Sequence, residues 1–352
     1  MKILYLIEEL GGGGKERRLV ELLKGLSANR NFELHLVLSK STNAYPEVNK
    51  FPITIHHLSN FSNVALIRQY FLILKKIQPD VLHTWSHKTS FYISLLKPLF
   101  TFKFITGFIG DTFGFSQRRA IIGKYFIFKG ADIIVSNSLT GLKAYNVPEN
   151  KGRVIPNGFD PNRISKNRKN KLEEIGIKTP INIVMLANVS PYKNYQLFVD
   201  TAESLIKSRK DLTFISIGKV LPEYENFTKP FMNNNHPQIK FLGFRSDVNE
   251  LIKDCNIGLL CTYSEGISNG IIELMANGVP VISNDLKGGT KEIISNNIDG
   301  FICEDEEITS KLHELIQDED LRLKTSKNAI KKIASEFSLS KMVANYIEIY
   351  TS

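Results

Sequence analysis

Hydrophobic residues along this chain come in short runs separated by polar turns and by helically spaced apolar positions. Lys2 to Ile7 is a strand-like run that meets Gly11-Gly12-Gly13-Gly14, and Leu19, Leu22, Leu23 and Leu26 then recur at helical spacing. Phe32–Leu38, Ile53–Leu58, Val81–Thr84, Phe104–Phe108 and Ile133–Ser136 read as further strands. A polar, basic stretch from Lys151 to Lys171, punctuated by Pro156-Asn157-Gly158 and Pro161, interrupts the alternation and marks a domain boundary. The pattern then restarts. Ile181–Leu186, Leu212–Ile217, Ile239–Phe241, Ile257–Cys261, Val279–Ser283 and Gly300–Ile302 read as strands. Leu197–Lys207, Val248–Cys255, Ile271–Ala276 and Thr309–Ile316 read as helices, and Leu321–Tyr350 as helix in two pieces. Strands alternating with helices predict parallel sheets covered on both faces. The expected fold class is α/β: two tandem Rossmann-like, doubly wound domains facing a cleft. Residues 1–158 form the first, 159–335 the second, and a last helix, 336–352, packs back on the first.

The length, 352 residues, agrees with two cores rather than one. With 42% hydrophobic and 23% charged residues the composition excludes wholesale disorder, collagen and a coiled coil. No run of about 18 uncharged apolar residues predicts a spanning helix; Phe91–Phe104 comes nearest and is broken by Lys97, Pro98 and Lys103. The N-terminus lacks a basic leader region and a small-residue cleavage site, so a secretory signal is not expected. Cys255, Cys261 and Cys303 show no metal or disulfide spacing, which fits a reducing cytoplasm.

Charge is uneven. Of the net +9, residues 1–160 hold 21 Lys and Arg against 11 Asp and Glu, and residues 161–352 hold 24 against 25. A basic first half calls for an anionic partner. No nucleic-acid recognition motif is present, and an anionic membrane surface is the alternative. Phe91–Lys129 mixes Phe91, Tyr92, Phe100, Phe102, Phe104 and Phe108 with Lys97, Lys103, Arg118, Arg119, Lys124 and Lys129. It reads equally as a headgroup-layer surface or as a buried aromatic cluster ringed by solvated lysines.

The densest chemistry lies in Ser264-Glu265-Gly266-Ile267-Ser268-Asn269-Gly270-Ile271-Ile272-Glu273-Leu274-Met275-Ala276-Asn277-Gly278-Val279-Pro280-Val281. It reads as a strand end, a turn, a short helix capped by Ser268 or Asn269, a stop at Gly278 and a new strand. The free N–H groups and positive dipole end of such a helix suit a diphosphate. Glu265 and Glu273, eight positions apart, are good acceptors for sugar hydroxyls. A structural helix with two solvated glutamates is the plain alternative.

This segment resembles the donor-site signature of the retaining glycosyltransferases of family 4, the glycogen-synthase-like branch with two Rossmann-like domains (the GT-B fold). The family pattern is E-G-x6-E-A-x-A-x-G-x-P-V, with Leu274 replacing the usual alanine here. The resemblance implies that Glu273 binds ribose hydroxyls and that Glu265 faces the transferred sugar. It implies that Gly266, Ile267, Ser268 and Asn269 offer backbone N–H groups to the phosphates.

Other segments match in order. Leu10–Arg17 resembles the family's glycine loop, where Gly13 and Gly14 admit donor phosphates or acceptor. It lacks clean dinucleotide-binding spacing, and Lys40, not an acid, follows the second strand, which disfavours a nicotinamide enzyme. Asp80–Trp85 resembles the strand that ends at the acceptor side; His83 or His87 then contacts donor sugar or acceptor, or is a satisfied structural residue. Asp132–Ser138 and Ile155–Asp160 resemble the last strand and linker of the first domain.

One departure stands out. The family carries G-R-L-x-x-x-K, whose Arg and Lys grip the diphosphate; this chain has Ala187-Asn188-Val189-Ser190-Pro191-Tyr192-Lys193. Lys193 is in place. Asn188 replaces the arginine, keeping one neutral donor, so Lys287, Arg245 or slow turnover must answer for the missing cation. Asp318-Glu319-Asp320 matches a metal motif in letters only, and with Lys193 and the helix dipole present no divalent ion is required.

The resemblance therefore implies a metal-independent retaining glycosyltransferase without a cofactor. It would move a hexose or N-acetylhexosamine from a nucleotide-diphosphate sugar, UDP foremost, to a saccharide acceptor in bacterial polysaccharide assembly. A lipid-diphosphate-linked acceptor, a cytoplasmic place on the inner face of the membrane and no nucleic-acid partner complete the expectation. A sugar-nucleotide epimerase of the same fold and a non-catalytic sugar-nucleotide-binding subunit are the alternatives.

Overall fold

A computed structural model describes residues 1–59, 62–110, 118–166, 170–233, 235–263, 265–284 and 287–352, without the side chains of 118–122. Ser264 of the signature segment, and the side chains of Arg118 and Arg119, lie outside the described residues. The chain divides into two compact units, Met1–Gly158 with Leu339–Ser352, and Phe159–Ser338.

In the first unit the order is β1 (Lys2–Ile7), α1 (Gly14–Leu26), β2 (Glu33–Leu38), β3 (Thr54–His57), α2 (Asn63–Ile77), β4 (Val81–Thr84) and α3 (His87–Leu96). Then follow β5 (Lys103–Ile109), α4 (Arg118–Gly130), β6 (Ile133–Ser136), α5 (Leu139–Ala144) and β7 (Gly152–Val154). All seven strands are parallel, in the order β3-β2-β1-β4-β5-β6-β7. Alternate residues of β1 enter two cores: Ile3, Tyr5 and Ile7 one, Leu4 and Leu6 the other. That double burial explains why the strand reads as an unbroken apolar run.

The second unit continues with α6 (Lys171–Glu174), β8 (Ile181–Leu186), α7 (Tyr195–Ile206), β9 (Leu212–Ile217), α8 (Glu225–Thr228), β10 (Ile239–Phe241), α9 (Val248–Ile252) and β11 (Ile257–Leu260). After these come α10 (Asn269–Ala276), β12 (Val281–Ser283), α11 (Thr290–Ile293), β13 (Phe301–Ile302), α12 (Ile308–Gln317) and α13 (Glu319–Glu336). Its parallel sheet runs β10-β9-β8-β11-β12-β13. The last helix, α14 (Leu339–Thr351), belongs to the first unit, where Met342, Tyr346, Ile349 and Tyr350 join the core with Tyr5 and Trp85. Among the described residues no helix is long and apolar enough to cross a membrane.

One strand departs from the sequence reading. Gly152–Val154, assigned to the polar boundary segment, is the edge strand β7. Three residues, two of them exposed, bury too little to leave a periodic signal. The Asp318–Asp320 run is a helix start: Asp318 Oδ1 accepts the Leu321 N–H at 2.8 Å, and Glu319 and Asp320 occupy the first turn of α13.

Candidate active site

In the second unit β9 and β10 extend the sheet from one side of β8 and β11 from the other, so the chain reverses its winding between β8 and β11. Crevices at such switch points, beyond the carboxyl ends of the strands, receive ligands. The loops that meet there are Ala187–Asn194 after β8, the segment into α10 after β11, and the one after β12. They are tied together. Asn194 N–H donates to Cys261 O at 3.0 Å, Thr262 Oγ1 to Tyr192 O at 2.9 Å, and Gly289 N–H to Glu265 O at 2.7 Å.

The start of α10 is pressed against the end of β8. A Cβ on Gly270 would lie 2.2 Å from Leu186 O. Gly289 closes from the other side, where a Cβ would meet the Gly266 carbonyl at 2.8 Å. Ser268 occupies the N-cap position, but its side chain makes no cap bond; the first turn closes through Ile272 N–H to Ser268 O at 3.2 Å. Gly266, Ile267 and Ser268 are buried, and Asn269 is half-buried. The helix ends with Gly278 at φ +76, and Gly278 and Val279 N–H groups return to Met275 O and Leu274 O. These are the paired bonds of a Schellman stop, which needs glycine at the left-handed position.

Glu265 sits at this end of the unit, on the segment into α10, and Glu273 lies four residues into that helix. The Glu265 carboxylate contacts the Lys193 ammonium, with both side chains largely buried. Glu273, on α10, pairs with Arg163 at 2.9 Å. Arg163 was not foreseen; it ends the Asp160-capped turn after the linker, and no periodicity marks it.

Asn188 is exposed, and its Oδ1 accepts the Lys219 N–H at 2.9 Å, joining the loops after β8 and β9. Of the two cations offered in place of the missing arginine, Arg245 is committed to Asp247 through bonds of 2.8 and 2.6 Å. Lys287 is exposed and adjoins the Gly288-Gly289 turn that meets Glu265.

In the first unit the winding reverses between β1 and β4. Gly13 caps α1, its carbonyl accepts from Tyr45 Oη at 3.2 Å, and Gly14 opens the helix. One turn on, Arg18 is 4% exposed, donates from Nη2 to Gly107 O at 3.0 Å and lies over the Trp85 ring at 4.6 Å.

His83, which the resemblance places at donor sugar or acceptor, lies in the interior of the first unit. The residue is fully buried among Tyr5, Trp85, Tyr346 and Tyr350, with Nδ1 2.8 Å from Tyr350 Oη. Burial, reinforced by the Arg18 charge, holds its pKa well below the ordinary histidine value. It faces the layer covered by α14, which the strand reading by itself does not reveal. His87 is half-buried at the start of α3, edge-on to Phe108, and burial lowers its pKa too.

Residues 12–163 match the family model Glycosyltransferase Family 4, and residues 167–332 match Glycosyl transferases group 1. The chain is 24% identical to UDP-Gal:alpha-D-GlcNAc-diphosphoundecaprenol alpha-1,3-galactosyltransferase of Escherichia coli, over 92% of this chain and 90% of that one. It is also 24% identical to the N-acetylgalactosamine-N,N'-diacetylbacillosaminyl-diphospho-undecaprenol 4-alpha-N-acetylgalactosaminyltransferase of Campylobacter jejuni, over 99% and 98%. Among solved structures, Anabaena HepE in complex with UDP-glucose superposes with a TM-score of 0.87 at 19% identity, covering 100% of this chain and 99% of that one. WaaG, a glycosyltransferase involved in lipopolysaccharide biosynthesis, gives 0.76 at 15%, covering 99% and 100%. At these identities the structural likeness is one of fold. Two parallel α/β units and two adjoining matches to glycosyltransferase models agree: the chain belongs to the GT-B glycosyltransferases, a family 4 domain followed by a group 1 domain.

Proposed function

We propose that the protein moves a hexose or N-acetylhexosamine, with retention, from a UDP-sugar to a saccharide carried on a lipid diphosphate. Assembly of bacterial surface polysaccharide (capsule, O-antigen or exopolysaccharide) is the setting, on the inner face of the cell membrane. The observation that carries the reading is the pair Glu265 and Glu273 at the α10 end of the β8–β11 crevice, with Lys193 on Glu265. The E. coli and Campylobacter relatives, by their names, act on diphosphoundecaprenol-linked acceptors, and HepE binds UDP-glucose.

In this reading the diphosphate lies at the α10 N-terminus against the backbone of Gly266–Asn269. Lys193 leaves the Glu265 carboxylate for the departing phosphate, and Glu265 turns to a sugar hydroxyl or to the positive charge developing at the anomeric carbon. Glu273 accepts from the ribose, and exposed Asn188 donates one neutral hydrogen bond. Lys193 and the helix dipole supply the positive charge, so the chemistry asks for no divalent ion. At the α1 N-terminus the Glu16 carboxylate fills the space a Gly13 Cβ would take, so phosphate or acceptor reaches the Gly13 and Gly14 backbone once Glu16 moves aside. His83 takes no contact role. The leaving phosphate itself guides the incoming hydroxyl on the same sugar face.

Membrane contact falls to the first unit, which carries 22 Lys and Arg against 11 Asp and Glu. Phe102 and Phe104 of the aromatic stretch are buried, whereas Leu95, Leu99, Tyr125 and Phe126 on or beside α3 and α4 are exposed. Exposed Lys129 lies on the same α4.

Asn188 favours one second reading, a binding subunit without turnover. Product NMR after incubation with UDP-glucose, UDP-galactose and their N-acetyl counterparts and an undecaprenyl-diphosphate saccharide separates the two. A product that keeps the donor's anomeric configuration is expected. Glu265→Ala should lower kcat about 100-fold and change UDP affinity little. UDP binding without transfer across the panel would leave only the binding subunit.

A further inference from the structure

Arg163 is held by the linker side of the second unit. Asp160, 2% exposed, accepts the Asn162 N–H at 2.9 Å and shapes the Pro161–Arg163 turn, which Arg163 N–H closes onto Asp160 O at 3.0 Å. Phe159 is buried and bonded to Phe337 O at 2.8 Å; its ring lies 5.2 Å under the Arg163 guanidinium. From this support Nη2 reaches Glu273 Oε1 at 2.9 Å, with both side chains mostly buried, at 19% and 13% exposure. Arg163 thus holds one of the two Glu273 carboxylate oxygens, Oε1.

We infer that Arg163 is the positioning residue for ribose recognition: it occupies one oxygen of Glu273 and aims the other at the donor. The inference rests on the reading that Glu273 binds the ribose. A glutamate alone samples many rotamers, and a ligand must then bear the ordering cost. A guanidinium stacked on a buried ring removes that freedom beforehand. It also offsets the carboxylate charge, which would otherwise oppose an incoming diphosphate. The remaining oxygen keeps its lone pairs for a hydroxyl donor.

The test is discrimination between UDP and its 2′-deoxy and 3′-deoxy analogues, by isothermal titration on the full chain. Wild type is expected to prefer UDP over at least one analogue by roughly 10- to 100-fold, the range of a hydrogen bond to a charged group. Glu273→Gln should erase most of that ratio, Arg163→Ala should cut it several-fold, and Arg163→Lys should restore part of it. A merely structural arginine would lower the thermal midpoint and leave the ratio intact. A wild-type ratio in Arg163→Ala, beside a lost one in Glu273→Gln, overturns the role of Arg163 and spares Glu273. Equal wild-type affinity for UDP and both analogues, or an intact ratio in Glu273→Gln, removes the Glu273 reading and this inference with it. Should Arg163→Ala not fold, Arg163→Gln and Arg163→Lys carry the same comparison.

Discussion

His83 is fully buried, so its protonation enters the stability of the fold. Burial and the Arg18 charge keep the folded side chain neutral well below the ordinary histidine pKa. The unfolded chain protonates near pH 6.5 and the folded chain does not. Stability is therefore fully present above that pH and falls as pH drops through it, by up to about 1.4 kcal/mol per pH unit from this group. His56, His87 and His236 are lowered too and act in the same direction. Glu16, raised by burial, runs the opposite way. Urea midpoints at pH 7 and pH 5.5 should show the loss in wild type and a shallower slope in His83→Gln; parallel slopes would dismiss His83 as the source. The charged residues of the crevice behave differently. Lys193 with Glu265 and Arg163 with Glu273 are ion pairs at a half-open site, where charges exchange partners more cheaply than in a core.

At the level of elements, α10 matters through its placement more than its length. Eight residues make a weak helix in isolation, and its position comes from packing on β8 and from the Gly278 stop. Gly270→Ala tests this directly. The added methyl would lie 2.2 Å from a backbone oxygen that cannot rotate away, so the helix start must move. A loss of about 1–3 kcal/mol in urea unfolding is expected, together with weaker UDP binding. Gly110→Ala, where a Cβ meets nothing within 4 Å among the described residues, is the control and should stay within about 0.5 kcal/mol of wild type. Equal effects at the two positions would show that the close approach does not set the helix. Element α14 makes a related point in the first unit: the last helix in the sequence supplies Tyr346 and Tyr350 to the core around His83.

For the whole molecule the charge division is the feature with a consequence. The first unit holds a twofold excess of basic over acidic residues, whereas the second has 23 against 25. In the proposed function, long-range attraction to an anionic surface is therefore assigned to the first unit. Binding to liposomes is expected to require anionic lipid and to fade as ionic strength approaches 1 M, where the Debye length shrinks to about 3 Å. Tyr125→Ser with Leu99→Ser should weaken what salt leaves behind. Sedimentation with neutral vesicles to the same extent would sink the electrostatic account.

What this chain's sequence determined by itself is what local physics encodes. Doubly buried strands such as Lys2–Ile7 and Ile181–Leu186 need near-continuous apolar runs, and helix stops such as Gly278 need a left-handed residue, so both are written in place. The signature from Glu265 to Val281 lies on one turn, one helix and one strand start, so its spacing survives as a contiguous string. Contacts between distant segments were decided only in three dimensions. Arg163 meets Glu273, Asn188 shapes a second loop through Lys219, and Tyr350 encloses His83, all across long sequence separations. The short edge strand β7 likewise exists because β6 lies beside it. A hydrophobic period reports which face of an element is buried; which side chain stands opposite a polar group follows only once the elements are packed together.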